Sequence, residues 1–219
     1  MSTVVTVDIH SDISCPWCYV GKRNFERALA AFTRNGTVDV RVTLHPYQID
    51  GERPATAVPM LEWLAGKYGA ERAAAMSEEV TAAGERIGIT FRNASGFAVN
   101  TLHGHRLLWL AGREYGREVQ ALLEELLFTA WFTEGGDVSD TALLLDRAVR
   151  AGMDHARVSA FLASGEGTAE VRAAIAASHA RVSAVPAFAF GDGTTLVGAQ
   201  DEATFLGALE QAAAAGEGS

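Results

Sequence analysis

Cys15 and Cys18 are the only cysteines of the chain, and they stand in the run Cys15-Pro16-Trp17-Cys18 between a strand-like and a helix-like segment. Two thiols with two residues between them at the start of a helix lie about one turn apart, close enough for their sulfurs to join without moving the backbone. The pair can therefore open and close a disulfide, or supply two of the four ligands of a zinc site. Zinc would need two more ligands from His10, His45, His103, His105, His155 and His179. None of these falls at the His-x₃₋₅-His spacing such sites use, and His103 and His105 point to nearly opposite faces of a predicted helix. Redox chemistry fits the residues better than metal binding.

A thiol exchanges disulfides only as its thiolate, and an ordinary cysteine, with a pKa of about 8.5, is only a few per cent ionised at neutral pH. At a helix N-terminus the unpaired backbone N–H groups and the positive end of the dipole favour the anion, and Cys15 is placed to receive both. Pro16 suits the first helical position, where its missing N–H costs nothing. Apolar residues Phe25, Ala28, Leu29 and Phe32 recur at helical spacing, and the stripe extended back seven residues from Phe25 lands on Cys18. Cys18 is thus expected in the core as resolving thiol, and Cys15, ahead of the stripe, is expected accessible and nucleophilic. Trp17 offers a flat apolar surface for a substrate, or packs against the helical cap expected of residues 56–181. Asp8 and Asp12 flank the end of the preceding strand; either is near enough in sequence to assist proton transfer to Cys18, with a solvated loop or cap role as the plainer reading.

The elements that must hold this pair are legible on both sides. Val5, Val7 and Ile9 alternate with Thr6, Asp8 and His10 as in a half-buried strand. After the helix, closed by Asn35-Gly36, Val38, Val40, Val42 and Leu44 alternate with Asp39, Arg41, Thr43 and His45. Strand, helix and strand in this order make a βαβ unit with parallel strands and a right-handed crossover. From Val58 to Arg181 the pattern is helical, enough for six or seven short helices, with Asn100, Ser139, Asp154 and Thr168 as candidate N-caps. Within it Leu122, Leu123, Leu126, Leu127, Phe128, Trp131 and Phe132 form a stripe that reads as core, or as a groove or dimer contact. Two short β-runs around Gly191-Asp192-Gly193 predict an antiparallel hairpin, and a final helix follows near Asp201 to Ala214. The order β-α-β, helical block, β-β-α predicts an α/β protein with a thioredoxin-like fold and a large α-helical insertion. Residues 1–55 and 182–219 would form the core and residues 56–181 the helical cap.

At 219 residues and 48% apolar the chain can bury a full core without a structural disulfide. A net charge of −9 and a pI near 5.1 disfavour nucleic acid and anionic membrane as partners. The first fourteen residues lack a basic stretch followed by an apolar one, so no signal peptide is expected, and no apolar run is long enough to span a bilayer. A cytoplasmic protein is the expectation, and in that compartment a cysteine pair is catalytic more often than structural.

The segment Cys15-Pro16-Trp17-Cys18-Tyr19-Val20-Gly21-Lys22-Arg23 after a strand and Asp12 resembles the DsbA-like thioredoxin-fold family, in particular its cytosolic FrnE-type branch. Asn100-Thr101, His105-Arg106, Val185-Pro186-Ala187-Phe188 and Gly198-Ala199-Gln200 carry the resemblance over nearly the whole chain. By composition Pro186 is a proline at a strand start. The resemblance implies more: a cis Val185-Pro186 bond beside the cysteines, where the backbone of Val185 pairs with a bound peptide. It also implies that the helical block covers the site. Expected partners are protein or small-molecule disulfides and thiols. No cofactor beyond the cysteine pair is expected, glutathione is admitted as a co-substrate, and a homodimer is left open. The related 2-hydroxychromene-2-carboxylate isomerases and kappa-class glutathione transferases are the alternative. They carry a serine at the position of Cys15 and lack the second thiol. With Pro-Trp between the cysteines and no histidine to hold the thiolate, the pair is expected to be less oxidising than that of periplasmic DsbA, whose potential is about −120 mV.

Overall fold

The computed structural model describes residues 4–34, 38–53, 55–93 and 96–217; the helix stop expected at Asn35-Gly36 lies outside them. The chain divides into two compact units, one of Met1–Tyr47 with Ile175–Ser219 and the other of Gln48–Ala174.

In the first unit, β1 (Val4–Ser11), α1 (Pro16–Thr33) and β2 (Asp39–Pro46) form the βαβ unit that the alternating valines predict, with β1 and β2 parallel in the register Val7 to Val42. The hairpin β5 (Ala187–Phe190) and β6 (Thr195–Val197) joins on the other side of β1, giving the sheet order β2-β1-β5-β6. β1 is thereby an inner strand, and its C-terminal end is where the cysteine helix begins. α1 and α9 (Glu202–Glu217) cover one face, which buries Val5, Val7, Phe188 and Phe190 under Phe25, Ala28, Phe205 and Leu209. Phe25, Phe188 and Phe205 meet with ring centroids 4.5 to 5.5 Å apart. Burial of each ring is worth about 1.5–3 kcal/mol, so this trio is a principal anchor of α1 on the sheet.

The second unit holds β3 (Val58–Pro59), α2 (Met60–Tyr68), α3 (Ala70–Glu85), β4 (Phe97–Ala98), α4 (Leu102–Leu110), α5 (Arg117–Phe128), α6 (Thr141–Arg150), α7 (His155–Leu162) and the first half of α8 (Thr168–Arg181). α4 and α5 each run on into a π-helical turn, at Ala111–Tyr115 and Thr129–Thr133. β3 and β4 pair over two residues, too short a run for an alternation to mark. Of the apolar stripe, Leu123, Leu127, Phe128, Trp131 and Phe132 are buried, as core residues should be, whereas Leu122 is 46% exposed. Asp154 caps α7 as expected, accepting from the Arg157 N–H. α6 is capped by Asp140 in place of Ser139, whose hydroxyl turns to Asp137. Thr101 directly precedes α4 while the Asn100 carboxamide accepts from Leu102 N–H, and Thr168 is the first helical residue of α8. The guanidinium of Arg106, 2% exposed, donates to the carbonyls of Phe161, Ser164 and Glu166, closing the C-terminal end of α7.

The unit boundaries at 47/48 and 174/175 differ from the 55/56 and 181/182 expected from composition. α8 is one continuous helix whose last turns pack on the sheet, and helical periodicity carries no mark of that change of neighbour. Ser178 accepts or donates a hydrogen bond with His10 Nδ1 at 2.9 Å, and His179 stacks on Tyr47 at 4.0 Å. His10, expected on the polar face of β1, is consequently 2% exposed. It stacks on His45 of β2, which in turn bonds Asp8 at 2.8 Å.

Burial holds the His10 imidazole below its usual pKa of 6.5, the neighbouring His45 and Arg181 act in the same direction, and Asp8 opposes them. In the unfolded chain the ring titrates near 6.5. Below that pH the unfolded state takes up a proton that the folded state resists, so this contribution is intact above about pH 6.5 and is lost as pH falls, at up to about 1.4 kcal/mol per pH unit. Urea unfolding at pH 7, 6 and 5 is expected to give falling stability with a slope smaller by up to one proton in His10→Gln; an unchanged slope would contradict the assignment.

Candidate active site

The chain leaves β1 through a tight turn built on Asp12. Its carboxylate accepts from Ser14 N–H at 3.2 Å and from Ser14 Oγ at 2.8 Å, and its carbonyl accepts from Cys15 N–H at 3.0 Å. This turn delivers Cys15 as the N-cap of α1, in extended backbone conformation, with Pro16 at the first helical position. The Cys15 carbonyl then accepts from Cys18 N–H at 3.0 Å and Tyr19 N–H at 3.4 Å, so the helix starts within the Cys-x-x-Cys segment itself. Both cysteines are free thiols, and they neighbour each other across the first turn of α1. Among the described residues no three His, Cys, Asp or Glu side chains converge as a metal site would require.

Cys18 is 1% exposed, as the helical stripe predicts, but Cys15, expected accessible, is only 4% exposed. One neighbour on that side is the loop leading to β5. The Cys15 Sγ lies 3.8 Å from the Val185 carbonyl oxygen, to which its S–H donates. The Val185-Pro186 bond is cis; Pro186 is buried and Val185 half-buried. Trp17, between the cysteines, is half-buried. The structure therefore brings Cys15, Cys18 and the Val185-Pro186 loop together within one unit, with Trp17 on the same helical turn.

Burial pushes the Cys18 thiol well above the ordinary cysteine range. The neighbouring Cys15 raises it further, the Asp12 backbone N–H opposes this, and the Asp12 carboxylate adds to it. Asp12 is itself 1% exposed. The expected solvated loop role of Asp12 is corrected by that burial: its bonds to Ser14 fold the loop inward. Its charge also reaches Tyr47, whose phenol is pushed up first by burial and then by Asp12. Tyr47 N–H donates to the Ser11 carbonyl at 2.9 Å, which fixes it beside the turn. The sequence marks Asp12 as a candidate by its place at the strand end, whereas nothing in the local pattern marks Tyr47; its one signal is its position just past the end of the adjacent parallel strand, where βαβ proteins place sites.

A dithiol at the N-terminus of a helix, opposite a proline loop that opens the neighbouring strand, defines the thioredoxin-like class of thiol–disulfide proteins. Residues 6–210 match the model of the DSBA-like thioredoxin domain, and the chain belongs to that family, whose general activity is thiol–disulfide oxidoreduction. It is 36% identical to a probable DsbA oxidoreductase from Streptomyces coelicolor, with a TM-score of 0.84 over 95% of this chain and 89% of that one. YwbO of Bacillus subtilis, an uncharacterised protein, is 27% identical over 94% of this chain and 96% of its own length. A 2-hydroxychromene-2-carboxylate isomerase shares the fold at 18% identity, with a TM-score of 0.56 over 94% of this chain and 93% of that one. Among the described residues no helix is long and apolar enough to cross a membrane.

The high pKa of Cys18 has a measurable consequence. In Cys15→Ser, where Cys18 is the only thiol left, the rate of alkylation by iodoacetamide is expected to keep rising with pH beyond 9. A plateau below that pH would contradict the burial argument.

Proposed function

We propose that the protein is a dithiol–disulfide oxidoreductase in which Cys15 is the nucleophile and Cys18 the resolving thiol. The observation that carries this reading is the pair of neighbouring free thiols at the first turn of α1. An anion at the N-cap position is stabilised by the positive end of the helix and its unpaired N–H groups, whereas Cys18 is kept protonated by burial. The Cys15 thiolate attacks one sulfur of a substrate disulfide, forming a mixed disulfide and releasing the other sulfur as a thiolate, which takes up a proton. Cys18 then loses its proton and attacks the Cys15 sulfur. The second substrate thiol leaves, and the protein holds a 15–18 disulfide with two electrons passed to the substrate. Run backwards, the same steps oxidise a dithiol.

Val185 and Pro186 shape the substrate side of the site in this reading, and the face of Trp17 supports the substrate chain next to the reacting sulfur. The reaction needs no cofactor beyond the cysteines. Partners are protein or small-molecule disulfides and thiols, with glutathione able to serve as the reductant that reopens the 15–18 disulfide. In the cytoplasm, a pair near about −200 mV facing a poise near about −280 mV would be held mostly as the dithiol and would act as a reductase or isomerase. The alternative, a glutathione-dependent isomerase or transferase, draws on a shared fold but gives the second thiol no task.

Reduction of insulin disulfides by wild type, Cys15→Ser and Cys18→Ser tests the reading. Activity is expected to fall to background in both variants, with a stable substrate adduct only in Cys18→Ser. Undiminished activity in either variant, or glutathione-dependent hydroxychromene carboxylate isomerisation surviving both substitutions, would overturn it.

A further inference from the structure

The segment Gly198-Ala199-Gln200, which links β6 to α9, takes no part in the chemistry above, yet its contacts lead directly to the loop opposite Cys15. The Gly198 N–H donates to the Pro186 carbonyl at 2.8 Å. Gly198 has φ +87°, a conformation that a residue with a Cβ adopts only with strain. Two residues on, the Gln200 carbonyl accepts from Asn24 Nδ2 at 2.8 Å, and the Gln200 carboxamide folds back onto the Val197 carbonyl at 2.8 Å. Asn24 belongs to α1 and is 9% exposed, so its amide is committed to this bond in a site that water barely reaches.

One turn back toward the cysteines, Gly21 receives the other side of the same loop. A Cβ placed there would lie 3.0 Å from Pro186 Cγ, 3.4 Å from Phe188 Cζ and 3.5 Å from Ala199 Cα. The first distance is shorter than ordinary carbon contacts of about 3.5–4.0 Å, and a proline ring between a helix and a strand has no free rotor with which to yield. Cys15, Cys18, Gly21 and Asn24 thus lie on one rigid helix. The N-terminal end of that helix carries the sulfurs, its second turn packs on Pro186, and its third bonds the turn whose Gly198 N–H holds the Pro186 carbonyl.

We propose that Gly21, Asn24 and the Gly198–Gln200 turn are positioning residues that clamp Pro186 onto the cysteine-bearing helix and so fix the Val185 backbone at the distance from Cys15 that a substrate chain needs in order to dock. The proposal rests on the thiol–disulfide reading above and deepens it. It assigns the fit of the substrate backbone to contacts on α1 and at the head of α9, while the reactivity of the sulfurs stays with the first turn. The chemical class it favours is an extended peptide bearing a disulfide, because a small disulfide has no backbone to lay along Val185 and would gain nothing from the clamp.

The test compares wild type, Gly21→Ala and Asn24→Ala in steady-state reduction of a peptide disulfide and of a small aromatic disulfide, with circular dichroism as the check on folding. Loss of one buried hydrogen bond, or a loop shift that weakens one, is worth about 1–1.5 kcal/mol, so KM for the peptide is expected to rise about tenfold in each variant. kcat is expected to fall by less than that factor, and KM for the small disulfide to move far less than KM for the peptide. Asn24→Ala adds no atom and keeps the test open if the added methyl of Gly21→Ala prevents folding. A wild type that turns over both substrates while the folded variants keep its peptide KM, or lose kcat alone and equally on both substrates, overturns the clamp and leaves the oxidoreductase reading standing. A wild type that reduces neither substrate overturns both.

Discussion

The placing of two free thiols side by side at the first turn of α1 is the constraint on which the rest of the molecule depends. It requires a helix that begins at Cys15, and therefore a strand that ends a few residues earlier and a turn that reverses without disorder. β1 and the Asp12 turn meet those needs, with Asp12 accepting from both the amide and the hydroxyl of Ser14. It also requires that α1 be held against the sheet, which the rings of Phe25, Phe188 and Phe205 accomplish. The same packing that secures the helix buries Cys18 and raises its pKa.

The surroundings of the pair divide the work between charge and shape. On the β1 side lies a buried acid, Asp12, whose negative charge disfavours a Cys18 thiolate. On the β5 side lies a loop that offers backbone, the Val185 carbonyl at 3.8 Å from Cys15 Sγ. Gly21 packs on Pro186 and Asn24 bonds the Gln200 carbonyl, contacts of shape and not of charge.

Much of this was legible in the sequence because it repeats. The alternating valines of β1 and β2, the Gly-Asp-Gly hairpin and the stripe that places Cys18 in the core are periodic signals, and each names its element and face. The burial of Cys15 was not legible, since the Val185 loop beside it is 170 residues away along the chain. Asp12 and His10 read as polar positions at a strand end, and both are buried by the tertiary packing around them. The end of α8 shows the same limit: its helical period is continuous, and only its contacts with His10 and Tyr47 reveal that it has joined the sheet. Ser139 and Asp140 are both good caps, and the choice between them is made by the Asp137 turn, which engages the serine. Gly198-Ala199-Gln200 was visible as a motif of the family it resembles, but what it holds could be read only from the Pro186 and Asn24 contacts.

The central claim is that the two sulfurs reversibly join each other. Equilibrating the protein across glutathione redox buffers, quenching in acid, and mapping the products by mass spectrometry tests it most directly. The account predicts a single two-electron transition between the dithiol and an intramolecular disulfide joining Cys15 to Cys18, at a potential below the roughly −120 mV of periplasmic DsbA. Thiols that remain separate across the whole range, or that form only glutathione adducts and intermolecular links, would contradict it.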